Sequence, residues 1–181
     1  MKKLCLIALT LVAVSALTVR GAALSEGMHE FRFDVSQSFG NDNGYDTIPI
    51  FGSVGYFPID NLEFGPYFSF RKTDWGSYWG AGSAWGLGLF AEYDMTSGSP
   101  LVPFFTARGG VIDGKRSNDT TEELAGGAGF RFFLTQELSI AASLELSWAA
   151  DEIYDFDRAD EKTGDGKHFD VLGKAGIRYL F

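Results

Sequence analysis

The chain has 181 residues, 45% of them hydrophobic and 15% aromatic, and carries a formal net charge of −9. That length suits one domain, and the acidic balance argues against a nucleic-acid partner, which needs a basic surface. Only one cysteine is present, Cys5, so no disulfide framework is available.

The N-terminus reads MKKLCLIALTLVAVSALTVRGAALSEG. Lys2 and Lys3 form a basic head, and Leu4 to Val19 is uncharged. Gly21 and Ala23 stand at the −3 and −1 positions of a cleavage site, with Val14 and Ala16 offering a second cut. This is the pattern of a secretory signal peptide over residues 1–23, and the apolar run is shorter than the ~20 residues of a spanning helix. Cys5 lies inside the run, so no lipoprotein attachment site follows it. Cleavage after Ala23 would leave residues 24–181 as one domain, with 12 basic and 24 acidic residues and a balance of −12.

From there on the repeating feature is period two. Eight segments show it, at 28–39, 47–57, 62–72, 85–94, 101–112, 123–133, 138–149 and 168–181. Each is near the ~9–11 residues that cross a bilayer as a tilted strand. In the seventh, Leu138, Ile140, Ala142, Leu144, Leu146 and Trp148 alternate with Ser139, Ala141, Ser143, Glu145 and Ser147. Alternation of this length signals a strand between two different environments. In the third segment Pro66 removes a ladder donor, so a bulge near 65–66 is expected. Between the segments, PIDN, MTSGSP and LTQE are short, whereas GNDNGYD, TDWGSYWGAGSA, DGKRSNDTTE and residues 150–167 are longer and polar or glycine-rich.

Alternation alone would also suit a soluble barrel or sandwich with an apolar core. The export signal, the alternating loop lengths and the aromatic placement point to a membrane barrel instead. With the first strand running outward, Phe70, Trp85, Trp148 and Phe169 fall near the outer ends of their strands. Tyr56, Phe64, Tyr93, Tyr179 and Phe181 fall near the periplasmic ends. Two such girdles belong at the two interfaces of a bilayer. The expected fold is all-β: an eight-stranded antiparallel transmembrane up-and-down barrel with short periplasmic turns and longer outer loops.

The stretches VGYFPIDNLEFGPYFSF, PLVPFFTARGG and GGAGFRFFLTQELSIAASLELSW, with the terminal AGIRYLF, resemble the small eight-stranded outer-membrane barrels of the OmpA, OmpX and OmpW type. That resemblance spans most of the chain after the leader. It implies a location in the bacterial outer membrane, contact with outer-membrane lipid and lipopolysaccharide, and a monomer. It also implies that Phe181, with Tyr179 and Ile177, forms the insertion signal read by the barrel-assembly machinery. No further domain is expected after residue 181.

If the apolar face meets lipid, the other face lines the lumen. The inward set is then Glu30, Arg32, Asp34, Arg71, Glu92, Asp94, Arg108, Arg131, Glu145, Asp170, Lys174 and Arg178, with Gly, Ser and Ala at the remaining inward positions. An eight-stranded interior is only wide enough for side chains to fill, and buried ions must pair. The expected centre is an ion-pair plug of Arg32, Glu92, Arg108, Arg131, Glu145 and Lys174.

Catalysis finds little support. The histidines are His29 and His168, neither with a serine two residues away, and His168 with Asp170 imitates only half of a protease pair. DFDRADEKTGDG at 155–166 lacks the glycine and closing glutamate of a calcium loop. GAGSAWGLG at 80–88 has the wrong spacing for a dinucleotide site and leads into a strand. No enzyme activity, cofactor or metal is expected. The reading is a structural or surface-exposed barrel with a plugged lumen. The alternatives are a narrow passive pore for small or apolar solutes, and an adhesin acting through the outer-loop aromatics Trp75, Tyr78 and Trp79.

Overall fold

A computed structural model describes residues 24–39, 47–74, 81–96, 98–114, 120–150 and 168–181. The eight strands are β1 (His29–Ser38), β2 (Thr47–Ile59), β3 (Leu62–Asp74), β4 (Ala81–Asp94), β5 (Leu101–Gly114), β6 (Thr120–Phe133), β7 (Leu138–Ala149) and β8 (Phe169–Leu180). Every strand pairs antiparallel with its neighbour in sequence. β8 returns to pair with β1 over Glu30–Ser38, which closes the barrel. Each of the eight strands thus has a neighbour on both sides, the condition for a sheet to sit in hydrocarbon.

Burial follows the alternation and sets its polarity. On the outside Leu87, Leu89, Leu124, Phe130 and Leu144 are each more than half exposed, whereas Glu30 and Arg131 on the inside are at 0%. A soluble barrel has the reverse arrangement, with aliphatic side chains inside and ions in water. The outward surface is therefore built for a lipid surround, and the all-β transmembrane architecture read from the sequence holds. The girdles also form as rows of paired neighbours. Phe70 lies opposite Trp85, and Trp148 opposite Phe169, toward one end. Tyr56 lies opposite Phe64 at the other.

The end holding His29 and Phe181 also has the tight connections. β2 and β3 are joined by Asp60 and Asn61, with Asn61 in the left-handed region at φ 65°, which asparagine tolerates better than most residues. At the same end β4 stops at Asp94 and β5 begins at Leu101, and residues 134–137 join β6 to β7. At the opposite end the strands run past their expected limits. β3 reaches Asp74, β4 begins at Ala81, β5 reaches Gly114 and β6 begins at Thr120. These bounds take in residues that the sequence reading had assigned to the two intervening loops. The expected leader 1–23, the acidic stretch 155–166 and Trp75, Tyr78 and Trp79 lie outside the described residues.

Pro66 is accommodated differently from expectation. β3 keeps a continuous register with β4 through Pro66↔Leu89. The register shift lies instead on the β2–β3 ladder between Tyr56 and Ile59. Opposite Pro66 and Gly65, Val54 and Gly55 drop out of the paired positions, so the missing proline N–H faces a stretch where the ladder has already lapsed. A Cβ on Gly65 would run into the Val54 carbonyl oxygen. The close approach of the two backbones therefore depends on glycine at this position.

Candidate functional site

The lumen is filled in two charged layers above an apolar floor. The lower layer lies toward the tight-turn end. Glu30 and Arg32 come from β1, Glu63 from β3, Glu92 and Asp94 from β4, Arg131 from β6 and Arg178 from β8. Alternation puts all of them on the inner face, and all are buried.

Glu92 is the hub of this layer. It accepts from Arg32 Nη1 at 2.9 Å and from Arg131 Nη2 at 3.0 Å. Arg178 pairs with it as well. Arg32 also pairs with Glu63 and reaches Glu30 Oε1 with Nε at 2.9 Å. Arg131 Nη1 donates to Glu30 Oε2 at 2.7 Å. Each guanidinium presents a planar fork that matches carboxylate geometry, which suits arginine to a dry, crowded site.

The upper layer is smaller. Arg108 on β5 donates through Nε to Glu145 on β7 at 3.0 Å, pairs with Glu123 on β6, and donates through Nη2 to Ser147 Oγ at 2.9 Å. Lys174 on β8 reaches Glu145 Oε2 with Nζ at 2.8 Å. Toward the outer end of the barrel Ser38 Oγ donates to Asp170 at 2.6 Å.

All six residues of the expected plug, Arg32, Glu92, Arg108, Arg131, Glu145 and Lys174, face the lumen, but they do not form one centre. Arg32, Glu92 and Arg131 belong to the lower layer, and Arg108, Glu145 and Lys174 to the upper. Glu63 and Glu123 were not anticipated. Their signal was present, since each shares the inward phase of its strand, Glu63 with Tyr67 and Glu123 with Arg131.

The expectation that small residues fill the rest of the lumen is corrected. Phe51, Tyr67, Phe90, Phe104 and Phe133 all point inward and are buried. They serve as faces for the cations. Arg32 lies 4.4 Å from the centre of the Phe90 ring, Arg178 4.5 Å from Phe104, and Lys174 Nζ 3.8 Å from Phe51. A desolvated cation over a ring gains on the order of 2 kcal/mol. Aromatic residues thus help to hold the charges that the carboxylates neutralise.

The floor lies below the lower layer. Leu24, Phe57, Val102, Phe133 and Leu180 pack together, with Met28 against them. Residues 24–28 turn back across the barrel mouth. Gly27 N donates to Phe57 O at 2.8 Å, Phe57 N to Met28 O at 3.0 Å, and Asn61 N to Leu24 O at 2.9 Å.

At the seam, Ile177, Tyr179 and Phe181 all point outward and are exposed. Phe181 exchanges both backbone hydrogen bonds with His29, at 3.0 and 2.9 Å, and its ring stacks on Tyr179 and His29. The other histidine, His168, has Nδ1 3.0 Å from the Ala149 carbonyl oxygen. The two histidines therefore sit at opposite ends of the barrel.

No family model matches the chain, and no curated protein sequence matches it. Solved structures do. Neisserial surface protein A is 16% identical, with a TM-score of 0.64 over 86% of this chain and all of that one. The N-terminal β-barrel domain of Pseudomonas aeruginosa OprF is 19% identical, with a TM-score of 0.56 over 86% of this chain and 98% of that one. The outer-membrane protein OprG of Pseudomonas aeruginosa is 13% identical, with a TM-score of 0.52 over 90% and 99%. The chain thus shares the fold of small eight-stranded outer-membrane barrels.

Proposed function

We propose that the protein is a non-enzymatic integral barrel of a bacterial outer membrane, exported through a cleaved leader, with a lumen closed to ions. The observation that carries this reading is the pair of charged layers above the apolar floor. Arg131 lies at 0% exposure in the middle of the lower layer, bonded to Glu30 and Glu92 from strands on other sides of the barrel. Moving an ion through such a layer means separating buried pairs, each costing several kcal/mol. The barrel then acts as a structural, surface-exposed element. Its wall contacts lipid and its outer end contacts lipopolysaccharide. Ile177, Tyr179 and Phe181 serve as the docking signal for the assembly machinery during insertion, and the working form is a monomer.

Planar-bilayer recording tests this directly. The refolded chain is expected to give no unitary current from a preparation shown by circular dichroism to be folded. Reproducible current steps that change with Glu145→Ala would overturn the closed lumen and establish the pore reading.

A further inference from the structure

The outward wall carries a hollow of about 560 Å³ over β4, β5 and β6. Its floor is a row of consecutive ladder partners, Ala91, Ala107 and Gly126, all exposed. Phe64 lies beyond one end of the row and Leu146 beyond the other. Along one side stand Leu89 and Leu124, each 58% exposed, with Gly109 between them. Ala107 and Gly126 fall at the middle of β5 and β6, so the hollow lies at the depth of the hydrocarbon rather than of the headgroups.

The fold itself does not require glycine in this floor. A Cβ on Gly126 would meet only the Thr106 carbonyl oxygen, at 3.8 Å, an ordinary contact. On the inner face of the same strand Gly127 and Gly129 are different, because a Cβ there would run into the carbonyls of Leu144 and Ala142. The outward Gly173 is different again, because the chain covers it with its own Phe39 ring. Among the described residues, no side chain covers Gly126 in that way. Glycine inside a strand weakens it and often marks a place where another group approaches closely. The hollow is continuous with the lipid-facing wall, so the approaching group belongs to the lipid surround.

We propose that this hollow seats one acyl chain of a membrane lipid, held obliquely across β4, β5 and β6 more tightly than the chains around it. The row climbs from Phe64, two residues into β3 from the tight-turn end, to Leu146, three residues short of the far end of β7. Strands lie about 4.8 Å apart, so the four spacings come to about 19 Å. That accommodates the ~15 Å of chain in one leaflet of a ~30 Å hydrocarbon core. Lipid tails are as apolar as leucine, so leaving the bilayer for the wall gains no hydrophobic energy. Close packing supplies the preference instead. On the rest of the wall a chain touches side-chain tips, whereas in the hollow it lies against backbone and between Leu89 and Leu124, and dispersion grows with the number of close atoms.

This inference rests on the membrane-barrel reading, and its test separates the two. The chain is refolded into vesicles of phosphatidylethanolamine and phosphatidylglycerol, extracted in mild detergent and weighed by native mass spectrometry. The barrel is expected to keep one phospholipid through washing that strips the rest. Gly126→Leu fills the hollow and is expected to lose that lipid. Gly52→Leu is the control, an outward glycine of β2 with open space above it but phenylalanines 33 and 68 on either side, and it is expected to keep the lipid. If Gly126→Leu does not fold, Ala107→Leu on the neighbouring strand decides. A barrel that inserts yet keeps no lipid overturns the seat and leaves the barrel reading intact, and so does a filled variant that keeps as much as the wild type. A dimer that Gly126→Leu converts to monomer assigns the hollow to a second copy and also overturns the seat. A chain that enters no vesicle overturns both readings.

Discussion

Truncating Glu145 to alanine isolates the worth of the upper layer. Glu145 is 5% exposed and accepts from Arg108 at 3.0 Å and from Lys174 at 2.8 Å. The two cations are not equally dependent on it. Arg108 keeps Glu123 and the Ser147 hydroxyl, whereas among the described residues Lys174 keeps the face of Phe51 at 3.8 Å and the more distant charge of Asp34. Breaking a buried pair from one side costs about 3–5 kcal/mol. The retained ring contact offsets about 1–2 kcal/mol of that, so a net loss of about 1–4 kcal/mol is expected. For a domain of this size each kcal/mol moves the midpoint by about 2–4 °C, which gives a fall of about 2–16 °C. Circular dichroism of the barrel in detergent micelles, heated through its transition, measures it. Removing Lys174 as well, as Glu145→Ala with Lys174→Met, should recover more than half of the loss, because no unpaired ion remains. A midpoint that does not move with Glu145→Ala would refute the plug, and so would a double variant weaker than the single one.

Two further predictions concern the wall and the seam. Gly65→Ala drives a methyl group into the Val54 carbonyl where the β2–β3 ladder has lapsed. A destabilisation of about 1–3 kcal/mol is expected, read as a lower urea midpoint, and wild-type stability would show that the strands can part there. Phe181→Ala removes a ring stacked on Tyr179 and His29 without touching the lumen. Insertion assisted by the assembly machinery should slow severalfold while unassisted refolding into thin bilayers keeps its rate. Equal slowing in both would reduce the terminal aromatics to packing.

The wall of the barrel was legible because it obeys one local rule. The alternation in Leu138–Ala149 places Glu145 and Ser147 on one face and Leu144 and Leu146 on the other with no knowledge of any neighbour. The interior is different, because partners there are set by register. Arg131 meets Glu30 across 101 positions of sequence, and only the stagger of eight strands brings them level. For the same reason the sorting of the ions into two layers could not be read in advance. Polarity misled in one respect. Small residues were expected at the remaining inward positions, yet Phe51, Phe90 and Phe104 stand there and carry cations in the lumen. Residues 24–28 show no periodicity, so their return across the mouth left no pattern in the sequence. It arises from backbone bonds to Phe57 and Asn61.

The lower layer also governs how the molecule can be assembled. Its carboxylate hub on β4 holds arginines from β1, β6 and β8. A sheet that has laid down its first five strands has Glu92 and Arg32 but neither of the other two cations. Loop closure over the whole chain must be completed before the full set of attractions is gained. Until β8 arrives, the growing sheet carries imperfectly neutralised ions beside hydrocarbon. Half-built forms are thereby penalised, and the last strand brings the largest single gain. The barrel should therefore appear in the membrane in one cooperative step, with the arginine on its final strand acting as the check that all eight are in register.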